Sequence, residues 1–305
     1  MGFNVNNLPD FKDQSGEIIA KGLLGAISPS LFNTHVGIKS VKTINVADMS
    51  ITPVDKACGW NSAGDTTYTQ IDLAVDKKQI QESYCIADIE DKYLQMYLKP
   101  GQDDSLQEGD SFWAQIVEQK AKQIGKFVEG KIYTSTSAAG DAFEGLLFLT
   151  NSANTPAINT AATGVVPSKT TIMGIVDDLV SSLPGEAQVR EDLVVIMSAG
   201  SFSAYKQAYR ELNGAWNTNE GNFSAGLVLT HPGFPNVKVT MTTAAVGERV
   251  MLFSAEYVHF GTDLLSDIDN TEVFFSRDNS EYRLKGAFSY GVNISFADYH
   301  ASNDR

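Results

Sequence analysis

The residue types that most often do chemistry occur in this sequence without the spacing of a catalytic motif. The segment Gly200-Ser201-Phe202-Ser203 is not the G-x-S-x-G elbow of a hydrolase, and no histidine is placed to act as its base. No glycine–lysine pair is followed by Ser or Thr at the spacing of a phosphate-binding loop. The four histidines are scattered singly and predict packing or surface residues: His35, His231, His259 and His300. We therefore predict neither catalytic residues nor a cofactor.

Metal binding is not expected either. Cys58 and Cys85 have no C-x-x-C spacing and no companion histidines, which predicts two reduced thiols. Oxygen ligands at alternating positions can bind calcium, and four carboxylates come close to that pattern: Asp263, Asp267, Asp269 and Glu272. The central glycine of an EF-hand loop is missing among them, so a solvated loop between two strands is predicted.

Composition sets broad limits on function. The chain has 305 residues, 43% of them hydrophobic and 20% charged, enough for one large domain or two subdomains that share a core. A formal charge of -14 argues against a surface that grips phosphate backbones. No run approaches the ~20 apolar residues of a membrane helix, and residues 1–10 lack the features of a signal peptide. The protein is expected to fold and stay in a cytosol.

The N-terminal third has segments that bury little by themselves. Glycine and proline break the first forty residues into an arm, where residues 17–26 predict a short amphipathic helix through Ile18, Leu23 and Leu24. Residues 43–86 alternate in the manner of strands around a turn-rich tip at residues 53–66, which predicts a long β-hairpin. Two strands alone are marginal in water. Trp60 at the tip therefore predicts that another surface covers it.

A long helix and a mixed α/β unit follow. From Ser111 to Tyr133, apolar residues recur at three and four positions, which predicts one helix with Glu129 on its polar side. Ser168 is expected to cap a second amphipathic helix that is followed by a buried strand, residues 193–197, and a third helix. Residues 288–296 alternate strictly, which predicts a strand with one buried and one polar face.

This order of elements resembles the major capsid proteins of tailed bacteriophages, which have the Hong Kong-97-type α+β fold. Local similarity lies in residues 78–88, in the helix–strand–helix of residues 172–205, and in the turn and strand of residues 234–239. The resemblance implies an arm at residues 1–42 and an extended loop at 43–76. It further implies a peripheral domain with a spine helix at 77–167 and 263–305, and an axial domain at 168–262.

The resemblance implies a structural function in a virion, not an enzyme. Subunits would form pentamers and hexamers of an icosahedral shell around double-stranded DNA, which they would meet by non-specific proximity only, without a membrane. Assembly would occur in the host bacterial cytoplasm with a portal and a scaffolding protein, and Met1 favours a separate scaffold over prior cleavage. The implied subunit-interface residues are Lys56, Cys58, Trp60, Tyr68, Ile18, Leu23 and Leu24. A covalent cross-link through Lys56 is not expected, since no partner asparagine or catalytic carboxylate is identifiable.

Three alternatives stay open at this level. An encapsulin-like compartment shell shares the same fold and differs in its contents, an enzyme instead of a genome. A soluble α/β-hydrolase-like enzyme would need a nucleophile with a base in reach. Another virion protein, such as a tail-tube or decoration subunit, fits less well with the long helix and the separate α/β unit.

Overall fold

The computed structural model describes residues 27–50, 55, 58, 65–85, 110–212, 228–263, 272–276 and 281–304. They form a five-stranded sheet, a six-stranded sheet, a two-stranded hairpin and several helices. This mixed architecture confirms the predicted α+β class.

The elements are numbered here in chain order over the described residues. The strands are β1 Asn33–His35, β2 Val41–Ser50, β3 Asp65–Ala74, β4 Asp76–Cys85, β5 Asn159–Thr160, β6 Leu193–Ser198, β7 Val228–Thr230, β8 Lys238–Thr242, β9 Val250–Ser254, β10 Val258–Gly261, β11 Glu272–Ser276, β12 Glu281–Ile294 and β13 Ala301–Ser302. The helices are α1 Asp110–Thr134, α2 Leu146–Leu149, α3 Ile172–Ser182, α4 Gly185–Gln188 and α5 Ala199–Leu212.

The six-stranded sheet has the order β5-β13-β9-β6-β8-β7 and is covered by α3 and α5. Its central strand β6 is apolar on both faces, and five of its six residues are buried. The apolar stripe of α3 packs on this sheet, as its periodicity predicted. The predicted cap is wrong: Thr171 precedes the helix, and Ser168 contributes its backbone carbonyl, which accepts the N–H of Ile172.

The five-stranded sheet is built around β12. Residues 281–290 of this strand pair with β4, residues 281–285 also pair with β11, and residues 291–294 pair with β10, which carries β1 in parallel. Phe288, Tyr290, Val292 and Ile294 are buried, as the alternation predicted. The opposite face carries the predicted polar residues, but Ser289 and Ser295 on it are buried as well.

Helix α1 crosses the five-stranded sheet. It spans 25 residues, in agreement with the predicted span from Ser111 to Tyr133. Ile124, Val128 and Ile132 are buried in the core that it shares with β12, and Phe127 packs edge-on against Phe288. The prediction that Glu129 faces solvent is wrong, since only 1% of this residue is exposed.

The base of the β2–β3 hairpin lies on a pair of glycines. Gly261 and Gly291 face each other across β10 and β12. A Cβ at Gly291 would lie 2.1 Å from the carbonyl oxygen of Ala74, and one at Gly261 would lie 3.0 Å from Val75. Close approach of two backbones requires the missing side chain. The glycine pair therefore lets the hairpin base bury its small cluster, Ile38, Leu73 and Val75, directly on the sheet.

We predict that Gly291→Ala destabilises the protein by about 1–3 kcal/mol or more, because the added methyl overlaps backbone atoms that cannot rotate away. Gly174→Ala is the matched control, since nothing lies within 4 Å of a Cβ there. An alanine inside α3 should stabilise the fold by up to about 1 kcal/mol. Urea unfolding of both variants tests this, and an unchanged midpoint for Gly291→Ala would refute the close contact.

Candidate functional site: the arm, the hairpin and their junctions

The described residues offer no built metal site. Within them, no three or more His, Cys, Asp or Glu side chains gather in a group that could hold an ion. Asp263 is buried and is therefore not solvated as predicted. Glu272 is the first residue of β11. Asp267 and Asp269 lie outside the described residues, so the predicted solvated loop stays a prediction.

One arrangement in the six-stranded sheet looks like a catalytic triad. Tyr205 on α5 donates its hydroxyl to Nδ1 of His231 at 2.8 Å, and Nε2 of His231 contacts Asp177 Oδ1 on α3 at 2.8 Å. Burial raises the pKa of Tyr205, and the side chain has no exposed surface. A substrate cannot reach a hydroxyl so enclosed. The three residues therefore join two helices to the turn after β7 and serve the fold.

The hairpin projects from its glycine base with ten cross-strand pairs, from Val41↔Ala74 to Ser50↔Asp65. One face carries a polar ladder: Thr43 donates to Asp72 at 2.8 Å, and Gln70 donates to Asn45 at 2.9 Å. Tyr68 continues this face and is 69% exposed. Aromatic side chains in such positions are typical of protein interfaces.

The structure describes two of the seven predicted interface residues. Tyr68 and Cys58 are both exposed, and Cys58 is a free thiol. The other five lie outside the described residues: Lys56, Trp60, Ile18, Leu23 and Leu24. Their interface role stays a prediction.

The arm is anchored at a buried junction that the sequence did not reveal. Glu129 of α1 accepts the backbone N–H of Ser28 at 3.1 Å and the Ser28 hydroxyl at 2.6 Å. Thr242, the last residue of β8, donates its hydroxyl to the same carboxylate at 2.7 Å. Tyr133, one helical turn beyond Glu129, contacts Ser28 Oγ at 2.6 Å. The junction therefore joins the arm, the long helix and the six-stranded sheet.

The pKa of Tyr133 decides which group donates and which accepts in the hydrogen bonds of this junction. Burial, together with the nearby charge of Glu129, raises the pKa of Tyr133, so the phenol keeps its proton. The Ser28 hydroxyl donates a hydrogen bond to Glu129, and the Tyr133 hydroxyl donates one to Ser28 Oγ. A buried carboxylate that accepts several hydrogen bonds is compensated without a cation. The only signal in the sequence is position, since Glu129 directly follows the buried stripe residue Val128.

Comparison with known proteins gives matches at the level of structure. No family model matches the chain, and no curated protein matches it. The capsid of an empty GTA particle has a TM-score of 0.60 and 13% identity, covering 91% of this chain and 89% of that chain. The capsid of Myoviridae phage XM1 has a TM-score of 0.56 and 11% identity, covering 89% and 88%. A virus-like particle from Pyrococcus furiosus has a TM-score of 0.53 and 8% identity, covering 96% and 98%.

These likenesses extend over nearly the whole of both chains, and they concern the fold. The chain thus has the Hong Kong-97-type capsid fold. In the part of the chain that the structure describes, no helix has the length and apolar character needed to cross a membrane.

We predict that Glu129→Gln lowers the free energy of unfolding by about 1–3 kcal/mol, because an amide N–H would face one of the three donors. The exposed Glu191 supplies the matched control, and Glu191→Gln should change stability by less than about 0.5 kcal/mol. Chemical unfolding of both variants measures the difference. Equal stability of the two variants would contradict the buried junction.

Proposed function

We propose, from the Hong Kong-97-type capsid fold of this chain, that it is the major capsid protein of a tailed bacteriophage. Many copies would assemble as pentamers and hexamers into an icosahedral shell around double-stranded DNA. The observation that carries this proposal is the match of nearly the full chain to capsid subunits, with about nine-tenths of each chain aligned. The function is then geometric, and no residue is assigned a catalytic role.

The division of labour along the chain is part of the proposal. Residues 1–42 would form the arm, 43–76 the extended loop, 77–167 with 263–305 the peripheral domain, and 168–262 the axial domain. Strand pairing supports a close connection between the last two. Strand β10 lies in the range 168–262 but belongs to the five-stranded sheet, and β13 lies in the range 263–305 but belongs to the six-stranded sheet. The chain thus crosses between the sheets twice near its C-terminal end.

The hairpin is the element best suited to contact a neighbouring subunit. Its ten-residue strands reach roughly 30 Å, and its cross-strand hydrogen bonds hold them together without a second layer. Burying the exposed part of Tyr68 against a neighbour would contribute about 2–4 kcal/mol before the entropic cost. Repeated around a closed shell, contacts of this size become collectively strong.

Charge supports a non-specific relation to the genome. The net charge of -14 disfavours adhesion to phosphate groups, so packaged DNA would be enclosed and not gripped. A portal and a separate scaffolding protein are the expected partners. Assembly in the bacterial cytoplasm and a final place in the virion complete this proposal.

An encapsulin-like compartment shell is the second candidate, and the likeness to the virus-like particle from Pyrococcus furiosus favours it. The two candidates differ in what the shell encloses. Negative-stain electron microscopy and size-exclusion chromatography of the purified chain, with and without the co-encoded scaffold, test for shells, pentamers or hexamers. A chain that stays monomeric in both conditions would contradict either candidate, and enclosed DNA or a cargo enzyme would then separate them.

We predict that replacing residues 48–67 by Asn-Gly abolishes closed shells while the subunit stays folded. A two-residue Asn-Gly turn closes an antiparallel pair, here directly between Ala47 and Tyr68, and the hairpin base keeps its buried cluster. Microscopy measures shells, and thermal unfolding verifies the fold. Normal shells from this variant would refute the role of the hairpin.

A point variant makes the same test at one side chain. Tyr68→Ser should raise the protein concentration needed for assembly by roughly tenfold or more, because the lost aromatic contact repeats in every subunit. Tyr68→Phe is the matched control and should assemble as the wild type does, since it keeps the ring. Identical assembly of the serine and phenylalanine variants would exclude Tyr68 from the interface.

A further inference from the structure

A chain of hydrogen bonds connects the hairpin, the arm and the five-stranded sheet. Lys42 Nζ on β2 lies 3.2 Å from Nδ1 of His35 on β1, and Nε2 of His35 lies 3.1 Å from Nδ1 of His259 on β10. Nε2 of His259 lies 3.0 Å from Oγ of Ser295, just beyond β12. The two histidines are far apart in the sequence and meet because β1 pairs with β10.

The hydrogen bond at the Ser295 end of this series determines which nitrogen of each imidazole carries the proton. Ser295 Oγ donates to the backbone carbonyl of Tyr257 at 3.3 Å, so it accepts from His259. Nε2 of His259 then carries the proton, and its Nδ1 accepts from Nε2 of His35. Nδ1 of His35 in turn accepts from the Lys42 ammonium. Each neutral imidazole thus uses its one donor and its one acceptor.

A further proton has no acceptor in this arrangement. On His259 Nδ1 it would face the N–H of His35, and on His35 Nδ1 it would face the ammonium of Lys42. The titratable groups that face the pair are Lys42 on β2 and His300 beyond β12, which donates to the Ser295 carbonyl. All hydrogen-bond partners of the two imidazoles in the described residues are thus neutral or cationic.

We propose that Lys42, His35, His259 and Ser295 form an acid-sensitive latch that holds the arm strand β1 and the base of the hairpin on the five-stranded sheet. Proton uptake breaks a hydrogen bond and places like charges side by side, so acidification releases both segments. This latch rests on contacts within one subunit and holds whether or not the chain forms a shell.

The direction of the pH effect follows from linkage. Burial, then the charge of Lys42, lowers the pKa of His35, and burial, then the charges of His35 and Lys42, lowers the pKa of His259 to about 4. A histidine with a depressed pKa in the closed state supports closure above its free pKa of 6.5. That support is lost as the pH falls from there toward about 4.

Hydrogen–deuterium exchange of the full chain at about pH 7.5 and about pH 5 tests the latch. After correction for intrinsic exchange rates, amides of β1 and of the hairpin base should open roughly 30-fold more at the lower pH, from His259 alone. Amides of β6 serve as an internal reference for global unfolding, to which the buried His300 contributes. Equal changes in β6 and in β1, or no change in β1, would overturn the proposal.

Two variants separate titration from packing. His35→Gln with His259→Gln keeps a donor and an acceptor at each position and cannot titrate, so the pH effect should vanish. Lys42→Met, an exposed change, removes the charge that adds to burial in lowering the pKa of His35 and of His259, so the pH effect should be smaller than in the wild type. Lys39→Met, exposed in the preceding turn, is the matched control and should leave the wild-type effect unchanged. An undiminished effect in Lys42→Met refutes the latch even if the glutamine variant fails to fold.

Discussion

The arrangement of the described residues depends on a buried carboxylate, that of Glu129, which accepts its hydrogen bonds from hydroxyl and backbone N–H donors. Glu129 is satisfied only when Ser28 of the arm and Thr242 of the six-stranded sheet both reach it. A buried charge that loses its donors costs several kcal/mol, so the three segments are stable together and not separately. Glu129 of the long helix thereby fixes the position of the arm relative to the six-stranded sheet.

A second constraint is steric and acts at the hairpin. The glycine pair on β10 and β12 brings the backbone of β3 into contact with the sheet, and the histidine pair lies beside it on β1 and β10. The hairpin is thus held at its base by packing and by polar contacts, while Tyr68 stays exposed. Attachment at one end limits the conformational entropy that such an exposed element would lose on binding a partner.

Periodicity in the sequence predicted the elements whose covered faces are apolar. The stripe of α1 and the buried side of β12 were correct, since each pattern reports the face toward a single layer. The apolar run of β6 was correct because both of its faces are covered by apolar clusters. Periodicity failed where a distant segment covers a second face. Ser28 and Glu129 are 101 residues apart, and Ser289 and Ser295 are polar because their burial comes with hydrogen bonds. Of the seven candidate interface residues, the structure describes only Tyr68 and Cys58, which are both exposed. The interface role of the seven residues is therefore inferred from the fold.

The same physics explains how a fold can persist at 8–13% identity to its structural neighbours. Layers of helix and sheet need only apolar residues at the right period, which many sequences provide. One defined position for each projecting segment requires more than such layers. Apolar packing alone tolerates shifts in register. A shift that leaves a buried polar group without its hydrogen bonds costs free energy and is disfavoured. The polar junctions at Glu129 and at the histidine pair lie where the arm and the hairpin leave the sheets, and they therefore fix the positions of these two segments.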